Sequence, residues 1–401
     1  MTASRIKVLH IATAFPRHPG DVITPWLVKT LEKQREKGIE VEVFTSSYRG
    51  LKSQSLFGIK VHRFRYFFKR WEDLTHDENV PDRLNRSFRY KIILIFYLLF
   101  GLFAIYRLCR KEKFSIIQCH WPLPHSLFGY IGKKVCGAKL ISSFYGAEMK
   151  LLKKNFLLKR FFRWLLSQSD AITAISNYGA SLIREVLPDE KKRIVIVPFG
   201  AAIEVKKIKR EEKNPIPQLL FVGRLVERKG VEYLIRAFAE VRKETPAFLT
   251  IIGDGKEREK LETLAKELGV GEAVRFTGFI SSPELERYYE MCDIFILPAI
   301  FDAKGDTEML GVVLLEAMSY QKPVIASGIG GITDIVKHQR TGILVKEKSV
   351  GELKEAILAL LRDENLRREM GEAGYKFIQS QFSWERIIGD LSNLYQTLSA
   401  L

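Results

Sequence analysis

The chain has 401 residues, 46% of them hydrophobic, with 64 Lys and Arg against 47 Asp and Glu and a formal net charge of +17. That length accommodates two domains of ordinary size, each with its own core, and the absence of any tandem period or low-complexity tract speaks against a repeat or fibrous protein. Four cysteines, Cys109, Cys119, Cys136 and Cys292, lack paired or metal-ligand spacing, so reduced thiols in a cytosolic setting are expected rather than a disulfide framework or a structural metal.

The chain opens on a strand-like run from Ile6 to Ile11, with no apolar leader and no small-residue cleavage site, so no signal peptide is expected. A loop from Phe15 to Pro25 follows, then a helix from about Trp26 to Lys37 stopped by Gly38. Gly20 is the single glycine of that loop, so the G-x-G-x-x-G dinucleotide pattern is missing, which counts against a nicotinamide enzyme. Phe114 to Cys119 reads as a strand with His120, Trp121 and Pro122 at its carboxyl end, where parallel sheets bind ligands. A histidine satisfied by backbone is the competing reading of His120. Ile141 to Glu148 carries Tyr145, Asn177 to Val186 reads as a short helix, and Ile194 to Val197 as the last strand of the first half.

Charge is divided unevenly. Residues 1–200 hold 35 Lys and Arg against 16 Asp and Glu, a balance of +19, whereas residues 201–401 hold 29 against 31, a balance of −2. In the first half the basic residues alternate with aromatics from Arg63 to Trp71 and from Phe156 to Leu166, both read as helical. Between them lies an uncharged run from Ile92 to Tyr106, shorter than the about 20 residues a spanning helix needs, and so either a core helix or one lying in an interface. Basic-aromatic helices beside it favour an anionic membrane surface. Nucleic acid is the rival partner, but no recognised binding motif accompanies the charge, and a merely solvated basic face is the third reading.

Glu204 to Gln218, rich in Lys, Glu and Pro, reads as an exposed linker. Beyond it, Leu219 to Val222 is a short strand that ends in Gly223, Arg224, Lys229 and Gly230, before an amphipathic helix from Val231 to about Lys243. A glycine turn carrying cations next to a helix start is a phosphate cradle: Arg can grip two oxygens while Lys contributes a point charge. A surface turn with incidental basic residues is the plain alternative. Further on, Glu308 falls in a loop, Gly311 opens a helix running from Val312 to Tyr320, and Glu316 lies one turn in; a strand at Val324 to Ala326 follows. Amides from Met309 through Leu310 and Gly311 to Val312 suit an anion, and the two carboxylates can accept hydroxyl hydrogen bonds on either side of it. The opposing reading is a buried helix with two solvated glutamates. Two closing helices are expected, Glu364 to Ser380 and Trp384 to Ser399.

The ordered series Gly223-Arg224-Leu225, Arg228-Lys229-Gly230, Ile251 to Gly255, Val274 to Gly278, Leu297-Pro298, Glu308 with Glu316, Pro323 to Ala326, Gly330-Gly331 and Thr341 to Val345 resembles the retaining glycosyltransferases of family 4. The resemblance implies an α/β GT-B fold of two Rossmann-like domains facing a cleft. An acceptor-binding domain would span 1–200 and a nucleotide-sugar domain 201–382, and a final helix at 383–401 would cross back to the first. It implies that Glu316 holds the ribose, Glu308 the transferred sugar, and Arg224 and Lys229 the diphosphate, while His120 reaches the sugar or phosphate. Gly20 would belong to a loop that touches the donor diphosphate or the acceptor, Gly223 and Gly253 would line the nucleotide, and the base would be held near Arg275 to Ile280, mostly through backbone groups. Tyr145 stands where relatives carry histidine, and Glu148 where they carry an acid.

The expected reaction is metal-independent transfer, with retention, from a nucleoside-diphosphate sugar to an acceptor hydroxyl. No acidic D-x-D pair suited to a metal is found, and no further cofactor is expected. A sugar, lipid-linked or polysaccharide acceptor, peripheral contact with the anionic inner face of the cytoplasmic membrane, and no nucleic acid complete the expectation. The alternatives are a phosphorylase- or epimerase-like enzyme on the same fold and a basic scaffold with a degenerate pocket.

Overall fold

In the computed structural model, residues 6–21, 23–77, 80–146, 156–187, 193–200 and 215–400 are described. Glu148 and most of the expected linker lie outside these residues. Two compact units emerge, Met1–Val197 with Ile387–Leu401, and Pro198–Arg386.

The first unit is built on an eight-stranded sheet in the order β3-β4-β2-β1-β5-β6-β7-β8. Its strands are β1 Lys7–Ile11, β2 Glu40–Ser46, β3 Gln54–Leu56, β4 Ile59–Phe64, β5 Ile116–His120, β6 Lys139–Phe144, β7 Ala171–Ala174 and β8 Ile194–Ile196. All neighbours pair in parallel except the edge pair β3 and β4. The inner strands are buried along almost their whole length, which is why they read as continuous apolar runs rather than alternating ones. Because β1 has β2 on one side and β5 on the other, strand order reverses between β1 and β5, and the carboxyl ends of those two strands border the crevice.

The second unit carries six parallel strands in the order β11-β10-β9-β12-β13-β14. These are β9 Gln218–Val222, β10 Phe248–Ile252, β11 Val274–Gly278, β12 Ile294–Leu297, β13 Val324–Ser327 and β14 Ile343–Val345. Its point of reversal lies between β9 and β12. The helix Val231–Arg242 follows β9 and buries Leu234, Ala237, Phe238 and Val241 on one face. The last helix, Trp384–Ser399, begins in the second unit, and from Ile387 onward it belongs to the first. Its Tyr395 is fully buried there, accepting from Gln34 and donating to Gln118.

Two expectations about the basic half are corrected. The run from Arg63 to Trp71 is not a helix: it comprises the end of β4, a loop and a single 3-10 turn at Lys69–Trp71. Arg63 points into the core, where its guanidinium donates to the carbonyls of Phe15 and Pro16, so it is not part of a basic surface. The uncharged run from Ile92 to Tyr106 is the middle of a longer helix, Phe88–Lys111, because charged residues at either end continue the helical pattern and Ser87 caps its start.

With 24 residues this helix is long and apolar enough to cross a membrane, yet it is a layer of the first unit. Tyr90, Ile93, Tyr97, Gly101, Ile105 and Cys109 recur at helical spacing and bury one stripe. Gly101 lets it approach closely, since a Cβ there would lie 2.5 Å from the Phe128 ring. On the opposite stripe Phe88, Ile95, Leu99 and Phe103 remain exposed.

Candidate active site

In the second unit the loops after β9 and β12 meet at the point where strand order reverses. The β9 loop turns through Gly223 and a 3-10 turn, Glu227–Lys229, which brings Arg228 and Lys229 towards the loop after β12. Lys229 is only 7% exposed, and its Nζ lies 3.1 Å from Oε2 of Glu308, itself 7% exposed. Arg228 donates to the other oxygen of Glu308 and lies 3.7 Å from Asp306. Burial alone would raise the Glu308 carboxyl, but Lys229 and Arg228 outweigh it and hold it below the usual carboxylate range. Glu308 is therefore an ionised carboxylate with a cation on each oxygen.

The amide of Gly331 donates to the Glu308 carbonyl at 2.9 Å and fixes this loop. Three residues on, Gly311 has φ of +89° and forms the N-cap of the helix Val312–Ser319, a conformation that a side chain at Cβ would strain. The first amide satisfied within that helix is Leu314, by the Gly311 carbonyl. Met309 and Val312 are half-buried at its mouth, while Leu310 packs into the core. One turn in, Glu316 accepts from the Tyr289 hydroxyl at 2.8 Å. Burial raises its carboxyl, with that hydrogen bond and Lys229 opposing.

Arg224 is exposed and has no ion-pair partner among the described residues. Gly253 acts through close approach: a Cβ there would sit 2.1 Å from the Gly223 carbonyl, so these glycines let the ends of β9 and β10 touch. Ile280 is half-buried in the loop after β11, beside the exposed Phe279. Within this unit the structure thus joins Lys229, Glu308 and the Gly311 helix start. Sequence reasoning passed over three residues of the same site: Arg228, Asp306 and Tyr289. Arg228 was open to view as the neighbour of Lys229, whereas the place of Asp306 depends on the loop after β12 and that of Tyr289 on the packing of the helix Ser282–Met291 against Val312–Ser319.

In the first unit His120 ends β5 at the point of reversal. It is 2% exposed, and both ring nitrogens are engaged: Nε2 with His10 Nδ1 at 3.0 Å and Nδ1 with the Tyr145 hydroxyl at 2.6 Å. Burial, and then the neighbouring His10 and His125, keep it neutral far below the ordinary range. Trp26 and Trp121 pack against the Tyr145 ring, with centroids 4.9 Å and 5.2 Å away. Gly20 lies in an exposed turn in which the Asp21 amide donates to the His18 carbonyl, tied down by the Arg17–Asp21 ion pair at 2.7 Å.

Among the described residues one trio, Glu42, His62 and Glu112, brings metal-type ligand atoms within 4.8 Å of one another. Lys7 already lies 2.9 Å from Glu42 and 2.7 Å from Glu112, and Lys60 lies 2.5 Å from Glu112, so two ammonium groups offset the charge a cation would need.

The family described as Glycosyl transferases group 1 matches residues 202–377, and Glycosyltransferase Family 4 matches residues 27–205. A GDP-mannose-dependent monoacylated alpha-(1-6)-phosphatidylinositol monomannoside mannosyltransferase from Corynebacterium glutamicum is 31% identical over 310 residues, covering 73% of this chain and 79% of the relative. The chain belongs to the family 4 glycosyltransferases. This glycosyltransferase is also 28% identical over 300 residues to N-acetyl-alpha-D-glucosaminyl L-malate synthase from Bacillus anthracis, covering 71% of this chain and 75% of that one. Sucrose-phosphate synthase from Thermosynechococcus elongatus superposes with a TM-score of 0.73 at 21% identity, over 99% of this chain and 100% of that chain. Anabaena HepE, solved with UDP and glucose, gives 0.67 at 16% identity, over 99% and 100%. These likenesses establish the GT-B fold of the glycosyltransferase.

Proposed function

We propose that this glycosyltransferase moves a sugar, with retention and without a metal, from a nucleoside-diphosphate sugar to the hydroxyl of an acceptor at the cytoplasmic face of a membrane, in polysaccharide or glycolipid synthesis. The observation that carries the reading is the cluster of Lys229, Arg228 and Glu308 beside the Gly311 helix start, at the point of reversal of the second sheet. Lys229 has three donors, so it can serve Glu308 and a phosphate oxygen together. With Arg224 and the helix amides it would meet charge that grows on the departing diphosphate as the glycosidic bond breaks.

Glu308 would accept from hydroxyls of the transferred sugar and Glu316 from the ribose. A carboxylate paired with two cations is a poor nucleophile, which favours a front-face route in which the leaving phosphate helps take the acceptor proton. The membrane part of the reading is supported by the exposed apolar stripe of Phe88–Lys111 and by the cations around it. A hollow of about 510 Å³ is lined by Arg49, Phe68, Lys69, Arg70 and Trp71, and the rings of Phe67 and Phe96 (5.1 Å) join this region to the helix. Cations beside apolar side chains suit an anionic leaflet.

The test is nucleotide release and sugar transfer with a panel of nucleoside-diphosphate sugars, with and without EDTA. Turnover that EDTA leaves intact is expected. Activity lost to EDTA and restored by Mg²⁺ or Mn²⁺ would overturn the metal-free part, and no turnover with any donor would overturn the rest.

A further inference from the structure

The helices Phe88–Lys111 and Pro122–Cys136 meet along two stripes whose residues recur every four positions. On the first helix the stripe runs Gly101, Ile105, Cys109, and on the second Phe128, Gly132, Cys136. The contacts keep that order. A Cβ on Gly101 would meet the Phe128 ring at 2.5 Å, and one on Gly132 would lie 3.6 Å from Ile105 and 3.2 Å from the Cys109 Sγ. A helical side chain leans back over the turn that precedes it, so Cys136 reaches towards Gly132, where the Cys109 sulfur lies. The two thiols are in hydrogen-bond contact there. No spacing in the sequence announces the pair, because its members sit on two helices with β5 between them. The other two cysteines are buried apart from it, Cys119 donating to the His125 carbonyl and Cys292 to the Tyr289 carbonyl. Cys109 is also buried, whereas Cys136 is half-buried at the end of its helix. The Cys109 thiol donates to Cys136 and outweighs burial; with the amides of Ala138 and Phe114 and the charge of Lys113 it brings Cys136 down to about 6. The same hydrogen bond, and then burial, push Cys109 up, so the accessible member of the pair is the thiolate.

We propose that Cys109 and Cys136 are an oxidation site at which a hydroperoxide closes a reversible disulfide between the two helices. The Cys136 thiolate attacks a peroxide oxygen, the O–O bond breaks, and hydroxide leaves and takes a proton from solvent, which makes Cys136 a sulfenic acid. The Cys109 sulfur then attacks the Cys136 sulfur. The S–O bond breaks, and the departing hydroxide takes the Cys109 proton as water. Two thiols and one peroxide become one disulfide and two waters; the sulfurs are oxidised and the peroxide is reduced. Gly132 leaves the room in which the sulfurs meet. The bond closes a loop of about 28 residues and ties the helix that carries the exposed apolar stripe to the helix that follows His120. None of this rests on the transferase reading.

Non-reducing peptide mapping of the full chain after exposure to hydrogen peroxide is the test. The wild type should yield one cross-linked peptide pair, Cys109 with Cys136, that dithiothreitol separates, while Cys119 and Cys292 still alkylate once the chain is unfolded. Its Tm should rise by about 5–10 °C, the shift expected for closing a loop of that length in a unit of this size, and should return on reduction. Cys109→Ser should leave Cys136 as a sulfenic acid that dimedone traps, with no rise in Tm. Cys136→Ser should leave Cys109 unmodified at the same exposure. The wild type alone can refute the proposal, whatever the variants do. Cys109 and Cys136 that both remain alkylatable after peroxide, a Cys136 that dimedone traps in the wild type or that pairs only with a second copy, or an oxidised protein with an unchanged Tm would each overturn it.

Discussion

Replacing Lys229 with Ala separates the two roles that the structure gives it. Lys229 is one of two cations on a buried carboxylate. Stranding a buried charge completely costs about 3–5 kcal/mol, but Arg228 remains on Glu308, so about 2 kcal/mol is expected. For a unit the size of Pro198–Arg386 that is a fall of about 4–8 °C in Tm. The loss should depend on pH. Lys229 and Arg228 outweigh burial and hold the folded Glu308 carboxyl below its ordinary 4.5, so its contribution is complete above that value and disappears as pH falls through the lower folded one. Without Lys229 the folded value rises, and acid unfolding should begin at a higher pH. Adding Glu308→Gln removes the stranded charge and should recover most of the lost stability, a coupling of about 1–2 kcal/mol by double-mutant cycle. Transfer should stay down by about 10²–10³-fold in both variants. Arg224→Ala, at an exposed residue, should lose comparable activity with no change in Tm. Thermal melts between pH 4 and 7 and initial rates are the assays. An unshifted Tm for Lys229→Ala, with no coupling to Glu308→Gln, would refute the pairing argument.

Glu316→Gln should weaken binding of the bare nucleoside diphosphate about tenfold in calorimetry, because its proposed partner is the ribose. Glu308→Gln should bind the same nucleotide as tightly or more tightly, since Lys229 and Arg228 lose their competitor, while transfer falls at least about 10²-fold; equal losses in both variants would refute the division of roles. In sedimentation the protein should follow anionic vesicles and leave neutral ones, with binding that weakens as salt rises. Lys69→Glu with Arg70→Glu, or Leu99→Ser with Phe103→Ser, should reduce the bound fraction and leave nucleotide affinity unchanged; equal indifference to both vesicle types would sink the membrane reading.

The sequence displayed the second unit well because its signals are local. The buried parallel strand at Leu219 to Val222 is a bare apolar run, and Gly311 before Val312 marks a helix start without reference to any other part of the chain. What escaped depends on contacts between distant residues. The grip of Arg228 on Glu308 spans 80 positions, and that of His10 on His120 spans 110 through neighbouring parallel strands, so no periodicity reports either. Arg63 looked like a surface cation because strand residues alternate faces, and the carbonyls that satisfy it belong to another loop. The helix Phe88–Lys111 looked short because the uncharged run ended before the helix did: Arg89, Lys91, Arg107 and Arg110 continue it with their charges exposed.

Retention in a reaction that depends on Lys229 is decided by the anomeric configuration of the product, read by proton NMR after incubation with the best donor from the nucleoside-diphosphate sugar panel and its acceptor. The product should carry a linkage of the same anomeric configuration as the donor, formed at a rate that collapses in Lys229→Ala. An inverted linkage, or transfer that proceeds unchanged without Lys229, would contradict it.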